Sequence, residues 1–296
     1  MKGLYPVFQT PYHDDFSLDF DTLATEIDWL FENGVQGITM AMVSETLRLS
    51  SEERDQLASK ACELTGDRGG VVISVGAEST HTAISHARHA EASGAAAVMA
   101  IPPISTALGS GEVVAYFTAI LEAISIPLIV QDASGYVGKP LPIPTQAQLL
   151  KDHGAERVYF KPEAKPIGPN LSALRDATDG QARIFEGSGG ISLVDSFRRG
   201  IAGTMPGAEI IKAQVALWKA LEAGDDAATY RLSTPIASLV SLQTDLDGFL
   251  AVEKYLLHKQ GIFKNTLTRG PVSFHLDPET IAEIDRLYGL LEAILE

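Results

Sequence analysis

One cysteine, Cys62, stands in 296 residues, which excludes an intrachain disulfide, and no clustered Cys/His spacing of a structural zinc site occurs. No apolar run reaches the roughly 18 residues that a membrane-spanning helix needs. The opening stretch MKGLYPVFQTPYHDD has neither the apolar core nor the small-residue cleavage site of a secretory signal. A soluble protein of the reducing cytoplasm is the expectation. Basic residues are scarce: the formal net charge is −15, with the acids spread through helical stretches rather than gathered in a tail. That balance argues against a nucleic-acid partner or an anionic membrane, so an anionic substrate must be held by local donors. Neither GxGxxG nor GxxxxGKS/T follows any apolar run. A doubly wound open sheet would therefore lack its usual nucleotide site.

What the chain has is alternation. Short apolar runs centre near Val7, Ile38, Ile73, Met99, Ile129, Tyr159, Ile184 and Ala202, and amphipathic stretches such as DFDTLATEIDWLFENG and SSEERDQLASKACELTG lie between them. Several of these stretches end in glycine, the usual helix C-terminal cap. The strand centres recur every roughly 20 to 35 residues, the length of a βα unit, and the runs are continuously apolar, as strands buried on both faces are. Eight such units predict a (β/α)₈ TIM barrel over residues 1–207. Beyond it the strand signal stops, and helical patterns predict a C-terminal helical extension over 208–296, packed on the barrel.

Within RVYFKPEAK, Val158, Tyr159 and Phe160 favour strand and Pro162 disfavours continued pairing, so Lys161 is expected at the strand's C-terminal end. Strand ends on that face carry the chemistry of a barrel. An amine withdrawn from water there is a candidate nucleophile toward a ketone.

Several further stretches occur in a telling order: PVFQTPY (Pro6 to Tyr12), GITMAMVSETLRLSSEER (Gly37 to Arg54), SVGAEST (Ser74 to Thr80), Pro102-Pro103, IPLIVQDAS (Ile126 to Ser134), YFKPE (Tyr159 to Glu163) and GSGG (Gly187 to Gly190). With them the chain resembles the dihydrodipicolinate synthase/N-acetylneuraminate lyase family along nearly its whole length. The resemblance implies that Lys161 forms a covalent imine with a 2-oxo acid, without a cofactor or metal, in an enzyme that is usually a homotetramer.

The departures from the family pattern are informative. Its Gly-Thr-Thr-Gly-Glu loop, which holds the substrate carboxylate, is here Ala41-Met42-Val43-Ser44-Glu45. Ser44, and Thr46 beside it, with backbone N–H groups such as that of Val43, are expected to take over that role, while Glu45 reads as a carboxylate that fixes the loop. Gln131 stands where synthases and lyases carry a proton-shuttling tyrosine, and an amide can bind a hydroxyl but cannot titrate. Lys161-Pro-Glu163, with Gln131-Asp132 and Ser44-Glu45, is most like the branch that dehydrates L-2-keto-3-deoxyarabonate. In that branch the glutamate after the lysine transfers protons and a serine in the following strand's loop assists, which points to Glu163 and to Ser188 in the loop that begins at Gly187.

The expected activity is thus a hydro-lyase that converts a 2-keto-3-deoxy sugar acid to a semialdehyde. An aldolase releasing pyruvate by the same imine chemistry is the alternative, and an inactive protein that only binds 2-oxo acids is a third reading, which the retained Lys161 and Glu163 oppose. His86 and His89 share a helix face without an evident third metal ligand. Cys62 reads as a small apolar filler, and KYLLHKQ (Lys254 to Gln260) as an ordinary amphipathic helix end.

Overall fold

The computed structural model describes residues 1–135 and 137–296. Eight parallel strands, β1 (Gly3–Leu4), β2 (Gly37–Met40), β3 (Gly70–Ser74), β4 (Ala97–Ala100), β5 (Leu128–Asp132), β6 (Val158–Pro162), β7 (Arg183–Glu186) and β8 (Gly203–Thr204), are ordered β1-β8-β7-β6-β5-β4-β3-β2. The helices that alternate with them are α1 (Phe20–Glu32), α2 (Ser51–Thr65), α3 (Thr80–Ala92), α4 (Ser110–Ala123), α5 (Ile143–His153), α6 (Ile167–Ala177), α7 (Leu193–Arg198) and α8 (Ile211–Ala223). Three more follow, α9 (Asp226–Val240), α10 (Leu246–Lys259) and α11 (Pro278–Leu295). This is the TIM barrel with C-terminal helices that the alternation predicts.

Closure depends on the first strand, whose regular ladder is shorter than the sequence suggests. Pro6 offers no N–H and ends the regular run at Leu4, yet Val7 bridges both Thr39 and Gly207, and the Thr39 N–H donates to the Pro6 carbonyl at 2.8 Å. The strand centred on Val7 thus joins β2 to the β8 side and leaves the sheet nearly closed. The opposite occurs at β6, where pairing was expected to end at Lys161 but Pro162 still faces Asp132 in register. The missing proline donor costs nothing there, because the Glu163 N–H makes the ladder bond to the Asp132 carbonyl at 2.9 Å.

The strands have two faces and two cores. Tyr5, Val7, Val72, Ala97, Met99, Ile129, Tyr159, Phe185 and Met205 fill the barrel interior. Leu4, Ile38, Ile73, Val98, Leu128, Phe160 and Ile184 face outward onto the helices, where each fully buried aliphatic side chain contributes about 1.5–3 kcal/mol. Side chains alternate with a period of two, so Lys161, two beyond Tyr159, and Gln131, two beyond Ile129, also point inward, at the C-terminal mouth. The packing therefore fixes the direction of the candidate nucleophile.

α2 starts where its sequence says it should: Ser50 accepts from the Glu53 N–H while Glu53 accepts from the Ser50 N–H, a reciprocal cap. Cys62 is buried in that helix, as a filler would be. His86 Nδ1 bonds Asp55 Oδ1 at 2.6 Å and His89 Nε2 bonds Ser59 Oγ at 2.8 Å, so both histidines tie α3 to α2. Among the described residues, no helix is long and apolar enough to cross a membrane.

Candidate active site

A narrow cavity at the barrel mouth is lined by Lys161 and Glu163 from β6 and its loop, Gln131 from β5, Met42 and Val43 from the loop after β2, Gly187 and Gly189 after β7, and Gly207 after β8. Leu246, Phe249 and Glu253 line it too; spaced at three and four residues, they form one face of α10, which roofs the mouth. A separate cavity of about 450 Å³ lies between the loops after β4 and β5, lined by Pro102, Pro103, Leu108, Leu141 and Thr145 among others, and it holds none of the candidate residues.

Lys161 and Glu163 are only 4% and 5% exposed. The Lys161 Nζ lies 3.0 Å from Glu163 Oε1, a buried ion pair. The Gln131 amide donates to Glu163 Oε2 at 2.8 Å. Burial pushes the Glu163 carboxyl above the usual carboxylate range, and the Lys161 ammonium and Gln131 amide pull it part of the way back. A carboxylate so placed can take a proton from a substrate carbon held on the neighbouring lysine.

Gly187 makes the approach of β7 possible. A Cβ there would lie 2.5 Å from Glu163 Oε1 and 2.6 Å from Lys161 Cε, closer than atoms pack. Gly187→Ala is therefore expected to displace the lysine and reduce borohydride trapping of a 2-oxo acid, with little change in far-UV circular dichroism. Glu186 shapes the same loop, accepting from the Ser188 N–H and from Thr204 Oγ1, and burial raises its carboxyl pKa.

Ser44, Thr46 and Ser188 are not brought to the cavity. The Ser44 hydroxyl donates to the Phe8 carbonyl at 2.5 Å and accepts from the Ala41 N–H at 3.1 Å, so its one proton is committed to holding the loop. Thr46 is buried outside the lining. Ser188 Oγ accepts from the Ser192 N–H at 2.8 Å, at the start of α7, and its side chain is absent from the cavity wall. In place of the expected hydroxyls, the N–H groups of Met42 and Val43 donate to no carbonyl among the described residues, beside the cavity they line.

KYLLHKQ is not an ordinary helix end. Lys254 is fully buried, paired with Glu45, donating to the Leu267 carbonyl at 2.6 Å and lying 4.7 Å from the centre of the Tyr12 ring. Glu45, at φ 56°, also accepts from the Arg269 N–H at 3.0 Å, so it clamps the loop after β2 to α10 and to the segment beyond it. Its loop-fixing role has a partner that the sequence reading missed. The signal was a charged pair, Glu253-Lys254, set inside the apolar run FLAVEKYLL. Glu45→Ala is expected to leave a buried ammonium unpaired and to cost roughly 3–5 kcal/mol in urea unfolding, most of it recovered by adding Lys254→Met.

Across known proteins, residues 1–283 match the dihydrodipicolinate synthetase family. The chain belongs to that family. The L-2-keto-3-deoxyarabonate dehydratase of Azospirillum brasilense is 28% identical over 295 residues, 96% of this chain and 92% of the relative. The 4-hydroxy-tetrahydrodipicolinate synthase of Rhizobium meliloti is 25% identical over 96% of each chain. Among solved structures, dihydrodipicolinate synthase from Rhodopseudomonas palustris superposes with a TM-score of 0.88 at 26% identity, covering 98% of both chains. Members are Schiff-base lyases and aldolases that act on pyruvate or other 2-oxo acids through a lysine and need no cofactor.

Proposed function

We propose that this enzyme is a hydro-lyase that dehydrates a 2-keto-3-deoxy sugar acid resembling L-2-keto-3-deoxyarabonate, with Lys161 as the imine-forming lysine. The carrying observation is Glu163, buried between Lys161 and Gln131 where an amide replaces the family's usual tyrosine. Retro-aldol cleavage needs a base on the C4 hydroxyl, and Gln131 cannot be one. Dehydration needs a base at C3, next to the imine carbon, and Glu163 sits beside the nitrogen of that imine.

Lys161 Nζ attacks the C2 ketone and water leaves, giving a protonated imine that acidifies C3. Glu163 takes a C3 proton and the electrons pass to nitrogen as an enamine. The enamine expels the C4 hydroxyl as water once that oxygen is protonated, and tautomerisation and hydrolysis of the imine release the product. For a five-carbon substrate this is 2-oxoglutarate semialdehyde. The Met42 and Val43 N–H groups, rather than the Ser44 hydroxyl, would hold the substrate carboxylate. The similarity to the Azospirillum dehydratase along 96% of the chain supports the same reading. The family resemblance also carries a homotetramer and a cytoplasmic setting into it. Incubation with L-2-keto-3-deoxyarabonate, assaying semialdehyde against pyruvate, tests the reaction; pyruvate as the dominant product would assign the enzyme to the aldolases.

A further inference from the structure

Behind the cavity lies a second group of acids that the steps above leave unused. Glu253 lines the cavity from α10, and its Oε2 accepts from the Gln9 amide. Glu209, just before α8, approaches it from the other side of Gly207. A Cβ on Gly207 would lie 2.3 Å from Glu209 Oε2 and 2.6 Å from Glu253 Oε1, so the missing side chain is what lets the two oxygens crowd one point. Glu209 Oε1 accepts from the Gln243 amide at 3.1 Å, whereas Glu209 Oε2 has no partner, although the residue is only 2% exposed. Glu26 of α1 completes the group, accepting from the Gln9 N–H at 2.9 Å. The groups facing Glu253 are thus Glu209, Glu26, Gln9 and, across the cavity, Lys161.

Each of two buried carboxyls facing one point opposes the ionisation of the other. Burial pushes Glu253 well above the usual range and Glu209 to about 7, and the Glu209 charge raises Glu253 further. Glu26 is pushed up to about 8, again by burial. The group is thus biased toward holding a proton beside a cavity where Glu163, the other acid among the described lining residues, begins the reaction paired to a lysine.

We propose that Glu253, facing the like charge of Glu209 across Gly207, is the acid that protonates the departing C4 hydroxyl. This rests on the dehydratase reading and supplies the donor it lacks, a place Ser188 does not fill. The C4–O bond breaks as the Glu253 proton joins the oxygen, and the enamine electrons form the C3–C4 double bond and restore the imine. Glu163 has by then gained a proton and Glu253 has lost one. With a five-carbon substrate, Glu253 takes a C5 proton and Glu163 returns one to C3, which resets both carboxyls and leaves an enol that becomes the aldehyde.

The tests are Glu253→Gln and Glu209→Gln in the full-length enzyme. Glu253→Gln is expected to trap substrate under borohydride and to exchange the C3 protons with deuterated water as the wild type does, while semialdehyde formation falls by about 10²-fold or more. Trapping itself reports that the barrel has folded. Glu209→Gln removes the like charge, so Glu253 loses its proton at lower pH and the alkaline limb of kcat should move to lower pH, a change that a packing role would not produce. Wild-type turnover in Glu253→Gln, or an unmoved alkaline limb in Glu209→Gln, overturns the assignment of the acid alone. Loss of trapping and exchange in a folded Glu253→Gln enzyme would place the residue before the enamine and also overturn it. Failure of the dehydratase reading is visible separately, as pyruvate from the wild-type enzyme.

Discussion

Lys161→Ala and Lys161→Arg are each expected to abolish turnover and borohydride trapping while the barrel remains folded. The imine requires a primary amine that can give up a proton, and a guanidinium stays charged at any working pH. Removing a buried cation ordinarily strands its partner, at a cost of several kcal/mol. Here the partner has an escape. Burial already holds the Glu163 carboxyl high, and the Lys161 charge is the main influence lowering it, so without the lysine the Glu163 pKa rises further, toward the neutral form that burial favours. Circular dichroism should therefore remain that of the wild type in Lys161→Ala, and mass mapping after reduction should find no substrate adduct. Trapping on another lysine, or near-normal activity in either variant, would remove Lys161 from its role.

The barrel was legible because its signal is distributed: eight apolar runs at βα spacing survive local errors such as the shortened β1 and the strand that runs through Pro162. Lys161 was legible because strand periodicity and position bring it to the mouth, whereas Glu163, Gln131, Val43 and Gly187 were singled out through the family resemblance, and all five line one cavity. The hydroxyls do not. Whether Ser44 faces a ligand or the Phe8 carbonyl depends on a backbone group 36 residues away, and Ser188 turns to the Ser192 N–H for the same kind of reason. Sequence order cannot rank such competing acceptors. Glu253 and Lys254 were missed because a charged pair within a helix usually marks its solvated face, and only the packing of α10 over the mouth buries both.

The second large effect is expected at Glu163. Glu163→Gln preserves size and keeps one oxygen for the Gln131 amide, so the cavity should hold its shape. Condensation with Lys161 does not use this carboxylate, and borohydride should still trap the substrate. What the amide cannot do is accept the C3 proton. Turnover should fall by ~10²–10⁴-fold, the usual cost of losing a general base. The pH profile gives an independent mark. A base must be ionised to act, and burial raises the Glu163 pKa, so the acidic limb of wild-type kcat/KM should lie above the ordinary carboxylate range, with activity lost as pH falls through it. That limb should disappear from the residual activity of Glu163→Gln. Exchange of the C3 protons with deuterated water decides the matter. A Glu163→Gln enzyme that traps substrate but does not exchange is one in which the imine forms and waits for its base. Exchange at the wild-type rate would show that some other group takes the proton, and the dehydratase reading would lose the residue on which it rests.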